Sequence, residues 1–226
     1  MVKPEEIADY LDSLKLSGRT RRVRLLAILS SALALCRPRL TRAILTYLRK
    51  RRMEKTAIYE TILQSYLFLG FPRAIEGIII FEEVFFEIGR PSGIRKQVDR
   101  NIRKWRSDGD ALCRIVYGKN YDALRRRFTQ VAPEFFEWMV MEGYGKVLSR
   151  PGMSRIEREL AEVAALIVDR RERQLISHVF GSLNVGASIS LVRKVNDDVA
   201  PLTGQNRRKM ADRIISRIES KYAAEI

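Results

Sequence analysis

The chain has 226 residues, a formal net charge of +15 and an apolar share of 46%, enough for one large domain or two small ones with a real core. Its longest nearly apolar run, Leu25–Cys36, is too short for a membrane span, and its early residues lack the basic-then-apolar order of a secretory leader, so a cytoplasmic protein without a membrane partner is expected. Cys36 and Cys113 stand alone and His178 is the only histidine, which excludes a disulfide framework and zinc-ligand spacing; buried, inert thiols and no metal are expected.

Helical periodicity runs through nearly the whole chain and strand alternation is absent, so an all-α fold is expected. "PEEIADYLDSL" predicts a short first helix with Pro4 near its start. A second helix is expected from Thr20 to about Cys36, broken by "CRPR", and a third from about Leu40 to Arg51. "TAIYETILQSYLFLG" predicts a fourth, closed by Gly70 and Pro72, with another apolar helix in "FPRAIEGIIIFEEVFFEIG". The charged stretch "RPSGIRKQVDRNIRKWRSDGDA" changes character, and a boundary near Pro91–Gly93 separates an N-terminal unit, 1–92, from a C-terminal unit, 93–226.

Short amphipathic helices follow in "DALCRIVY", "NYDALRRRFTQV" and "PEFFEWMVMEGYGKVL". Two longer ones then form a hairpin, Ser154–Val168 and Glu172–Val185, with a tight charged break at Asp169–Arg171. Ser154 followed by Glu157 fits a capping box, and Gly186 suits the left-handed residue that ends the second helix.

A shift of 134 positions places Gly18 on Gly152, Arg24 on Arg158, Arg37 on Arg171 and Gly70 on Gly204, with Thr20 falling on Ser154. Agreement of cap, break and terminal glycine points to a duplicated helical hairpin. The basic excess is shared between the halves: 17 Lys and Arg against 10 Asp and Glu lie before residue 96. That spread fits solvated helix faces better than a nucleic-acid-binding arm.

In an antiparallel hairpin, residues equidistant from the turn lie at one height. Glu159 and His178 average to position 168.5, on the turn itself. Small residues Ala161, Ala164 and Ala165 let the helices approach. A carboxylate beside an imidazole holds one tautomer and favours the protonated ring, which suits proton transfer. The same pair serves equally as a structural hydrogen bond.

"SRPGMSRIEREL" followed by "QLISHVFGSLNVGAS" resembles the central motif of the carboxymuconolactone decarboxylase family. "IVYGKNYDAL" and "EGYGKVLSRPG" resemble its N-terminal portion, and "EKTAIYETILQSYLFLGFPRAIEG" its C-terminal portion. The resemblance implies two alkylhydroperoxidase D-like helical repeats packed together, assembled as a homo-oligomer, trimer or hexamer. It matches Glu159 and His178 to the family's glutamate and histidine. Arg171 and Gln174 stand where the peroxidase branch has CxxC, so the chain is not a thiol peroxidase, and the decarboxylase-like branch implies chemistry without a cofactor. Leu25 and Ile44 fall on the positions of Glu159 and His178 in the first half, which leaves that half without acid–base groups.

The expected function is acid–base chemistry on a small anionic organic acid or lactone: His178 relays a proton, Glu159 orients it, and Arg155 or Arg158 holds a carboxylate. The competing expectation is a non-catalytic oligomer that binds polyanions or nucleic acid through its basic surface.

Overall fold

The computed structural model describes residues 1–18, 20–86 and 101–223, and among them every regular element is helical. A 3₁₀ turn at Pro4–Glu6 leads into α1 (Ile7–Ser13), followed by α2 (Thr20–Ala34), α3 (Pro38–Lys50), α4 (Lys55–Gln64) and α5 (Tyr66–Phe85). After the boundary expected near Pro91–Gly93, which lies outside the described residues, come α6 (Ile102–Tyr117), α7 (Tyr121–Val131) and α8 (Pro133–Trp138). A π-helix, Met139–Leu148, precedes α9 (Arg155–Asp169), α10 (Glu172–Asn184), α11 (Ile189–Thr203) and α12 (Gln205–Ala223). Among the described residues no helix is long and apolar enough to cross a membrane.

Two helices form the centre. On α2, Leu25 to Leu29 and Ala32 are buried, and on α9 so are Leu160 to Ile167, Glu162 included. A helix closed off from water on every side must sit inside the fold, and α2 and α9 pack most extensively on each other. Helices α3 to α5 pack around α2 and α10 to α12 around α9, with α11 resting more on α2 than on α9.

Polar cross-links join the two groups. Arg24 on α2 makes a bidentate pair with Asp198 on α11, both contacts 2.6 Å. Arg158 on α9 donates to Gln64 Oε1 on α4 at 3.0 Å. Positions 24 and 158, and 64 and 198, are each 134 apart. Left-handed backbone occurs at Gly18, Cys36, Arg52 and Gly70, and again 134 residues on at Gly152, Arg170, Gly186 and Gly204.

Helices α6 to α8 and the π-helix enclose a smaller core of Leu112, Cys113, Val116, Tyr121, Phe136, Val140, Tyr144, Val147 and Leu148. This unit reaches the rest of the fold chiefly through α6, which packs on α10.

Several expectations shift in detail. The fourth helix ends early, at Gln64, where the Ser65 hydroxyl donates to the Ile62 carbonyl. A second break follows at Gly70, whose φ of 78° and ψ of 164° interrupt α5. Helix α6 starts at Ile102, inside the charged stretch, with the Asn101 side chain accepting from Lys104 N. Cys36 is exposed rather than buried, because it occupies the left-handed turn between α2 and α3; Cys113 is buried.

Candidate functional site

The α9–α10 hairpin builds the site. Ser154 caps α9: its hydroxyl accepts from Glu157 N at 3.3 Å, and the Glu157 carboxylate accepts from Ser154 N at 2.7 Å. This fixes the start of a helix on which Glu159 and Glu162, three residues apart, share a face. Arg170 then takes a left-handed conformation, φ 56°, and α10 returns antiparallel to α9. The return brings His178 opposite both carboxylates.

His178 Nδ1 lies 3.0 Å from Glu159 Oε2 and 2.9 Å from Glu162 Oε2. The two contacts are not equivalent. Glu159 is aligned as a hydrogen-bond partner, whereas neither oxygen of Glu162 has an aligned hydrogen bond, although its side chain is 1% exposed. Phe68, from the start of α5, meets the imidazole edge-on with 5.2 Å between ring centroids. No residue among those described gives Nε2 a hydrogen-bond partner.

The electrostatics follow from burial and crowding. Burial by itself disfavours an imidazolium, but Glu159 and Glu162 outweigh it and hold His178 protonated well above the ordinary histidine range. Burial, and then the Glu159 carboxylate, push Glu162 up to about 7, against the opposing pull of His178. Burial also drives the Cys113 thiol up to about 12, where it is no nucleophile. Two carboxylates and one imidazole are thus held in a space poor in water.

Gly181 makes this closeness feasible. A Cβ there would stand 2.7 Å from Glu159 Oε2 and 2.8 Å from Val116 Cγ1. Gly181→Ala is therefore expected to push Glu159 off Nδ1 and to destabilise the chain by about 1–3 kcal/mol through overpacking. A lowered urea midpoint together with a displaced imidazole NMR signal checks this. An unchanged midpoint and signal would contradict the packing described.

Val116 also lines a groove of about 400 Å³ with Tyr117, Asn120, Arg127, Arg173, Ser177 and Phe180 among its walls. Val116 is thus common to the Gly181 contact and to the groove, whose lining does not include Glu159, Glu162 or His178. Arg127 and Arg173 are exposed and have no ion-pair partner among the described residues. Arg158 is placed differently. Its guanidinium is buried and donates to Glu60, Gln64 and the Arg150 carbonyl at 2.8–3.0 Å. Arg155 is exposed on the first turn of α9.

Glu162 is the residue that sequence reasoning missed, although its spacing from Glu159 was visible as Glu-x-x-Glu. With it, one ligand-type atom each from Glu159, Glu162 and His178 lies within 4.8 Å of the others, a donor set for which the scattered cysteines gave no hint. In the first half, Leu25 and Ile44 are buried, and hydrocarbon fills the positions corresponding to Glu159 and His178. No family model matches the chain, and no curated protein matches it significantly.

Proposed function

We propose that the chain is a duplicated helical protein of the carboxymuconolactone decarboxylase type with one acid–base site, acting without a cofactor on a small organic acid or lactone. The observation that carries this reading is the buried 3.0 Å hydrogen bond between His178 Nδ1 and Glu159, which leaves Nε2 as the nitrogen free to work. Duplication is supported by the left-handed residues repeated at 134 positions and by the matching Arg24–Asp198 and Arg158–Gln64 cross-links.

In this reading His178 acts chiefly as a proton donor, because its carboxylate neighbours keep the ring charged. Glu159 fixes the ring's orientation and stabilises the imidazolium. Glu162 is the second carboxylate on the same nitrogen. The substrate carboxylate is held in the groove lined by Val116, where Arg127 and Arg173 have no ion-pair partner among the described residues. Arg158 is a structural cation in this scheme, since its two Nη groups already serve Glu60 and Gln64.

The test is turnover of a panel of small carboxylic acids and lactones by the wild-type chain and by His178→Asn. The variant is expected to lose about 10²–10⁴-fold in kcat/KM while keeping its helical circular dichroism. Equal turnover by both chains on any substrate of the panel rules out His178 as the proton donor.

A further inference from the structure

The Glu159–Glu162–His178 cluster is short of positive charge. Two buried carboxylates face one imidazole, which contributes at most a single positive charge. Arg158, the basic side chain that acts on Glu162, is already committed to Glu60 at 3.0 Å. The cluster is also short of a donor: Glu162 is 1% exposed, its Oε2 shares Nδ1 with Glu159 at 2.9 Å without an aligned hydrogen bond, and its Oε1 has no hydrogen-bond partner among the described residues. Buried polar atoms left in this way call for an explanation, and an absent ion is one of the recognised kinds.

We infer that Glu159, Glu162 and His178 form a binding site for one borderline divalent transition-metal ion of the Zn²⁺ type, held by two carboxylate oxygens and Nδ1. The three atoms already lie within 4.8 Å of one another. A divalent cation neutralises the two carboxylates and gives Glu162 a contact beyond the single Nδ1 it shares with Glu159. A mixed nitrogen and oxygen set suits zinc, cobalt and their neighbours, whereas Mg²⁺ and Ca²⁺ prefer shells of oxygen alone. Three protein ligands leave a fourth position open.

The ion takes the place of the Nδ1 proton, which passes to solvent on binding. The ring is then a neutral ligand whose remaining Nε2–H is a far weaker acid than imidazolium. Occupancy therefore turns off proton donation by His178; this one consequence rests on the acid–base reading, whereas the site itself rests on the geometry.

The experiment titrates the chelator-stripped full chain with Co²⁺, followed by visible absorption, and then competes with Zn²⁺. One Co²⁺ per chain is expected, with ligand-field bands that Zn²⁺ abolishes. Glu162→Gln and His178→Gln are each expected to weaken uptake by more than the ~10–100-fold that loss of an outer-shell partner costs. No uptake, or uptake undiminished in both variants, overturns the site. Where a variant does not fold, the unaltered chain decides, since its single histidine gives one imidazole NMR signal. Zn²⁺ must move that signal, and an unmoved signal overturns the inference. Turnover enters none of these readings, so activity retained by His178→Asn would sink the acid–base proposal and leave the metal result standing.

Discussion

Adding one methyl group at Gly145 is expected to uncouple α6 from the π-helix. A Cβ at that position would lie 1.9 Å from the Trp105 carbonyl oxygen and 2.6 Å from its carbon. Across the same contact, a Cβ on Gly109 would lie 2.0 Å from the Val140 carbonyl oxygen and 2.9 Å from Gly145 N. Here two helices meet backbone to backbone, and no side chain can swing aside to relieve the clash. Overpacking usually costs about 1–3 kcal/mol, and with only main chain to yield, Gly145→Ala is expected at or beyond the upper end. Gly143 is the control: it sits on the same π-helix, yet a Cβ there meets nothing within 4 Å. Gly143→Ala should be neutral or stabilise by up to about 1 kcal/mol, by restricting the unfolded chain. Urea midpoints separate the two, and hydrogen exchange locates the damage: protection should fall in α6 and the π-helix while α2 and α9 keep theirs. Equal midpoints for Gly143→Ala and Gly145→Ala would show that the close crossing is not what holds this unit. Because Val116 lies at the far end of α6, lines the groove and packs against Gly181, loss of this crossing is also expected to disturb the groove.

The parts of the site legible in the sequence were those written in local spacing. Ser154 and Glu157 signalled the start of α9, and the charged break before Glu172 signalled the turn, so the height of Glu159 relative to His178 followed from counting along an antiparallel pair. Gly186 marked the end of α10 for the same kind of reason: its φ is 99°, a conformation that favours glycine. What was not legible depended on tertiary burial. Arg158 reads in sequence like any surface arginine beside a candidate glutamate, and only the approach of α4 turns it inward to Glu60 and Gln64. Glu162 lies one turn beyond Glu159 in an alanine-rich helix, where an acidic residue ordinarily faces water; the enclosure of α9 on all sides places it inside. The π-helix was equally hidden, because its wider turn leaves no pattern in "MVMEGYGKVL" that distinguishes it from an amphipathic α-helix.

Removing the Glu60 carboxylate is expected to cost about 3–5 kcal/mol, the range for breaking a buried ion pair from one side. Glu60 is 2% exposed and answers two cations: Arg150 through Nε and Nη2 at 2.9–3.1 Å, and Arg158 through Nη2 at 3.0 Å. Glu60→Ala would leave the Arg158 charge buried with only Gln64 and the Arg150 carbonyl as neutral acceptors. Burial already pulls the Arg158 pKa below the ordinary arginine value, with Glu60 opposing it, so the guanidinium has no spare solvation to fall back on. The exposed pair Arg213–Glu172 is the contrast: Arg213→Ala should scarcely move the urea midpoint, since water and salt screen that contact. The double variant Glu60→Met with Arg158→Met separates attraction from desolvation. If the single-variant loss comes from a stranded buried charge, the double variant recovers much of it, because apolar replacement of a buried pair is often neutral. A double variant as unstable as Glu60→Ala would instead assign the loss to packing around α4. The cross-link bears on the electrostatics of the cluster as well as on stability, because Arg158 follows Glu157 and precedes Glu159 on α9 and its charge acts on Glu162. Glu60→Ala, which removes the counter-charge of Arg158, is expected to displace the single imidazole NMR signal even though no atom of Glu60 is bonded to His178.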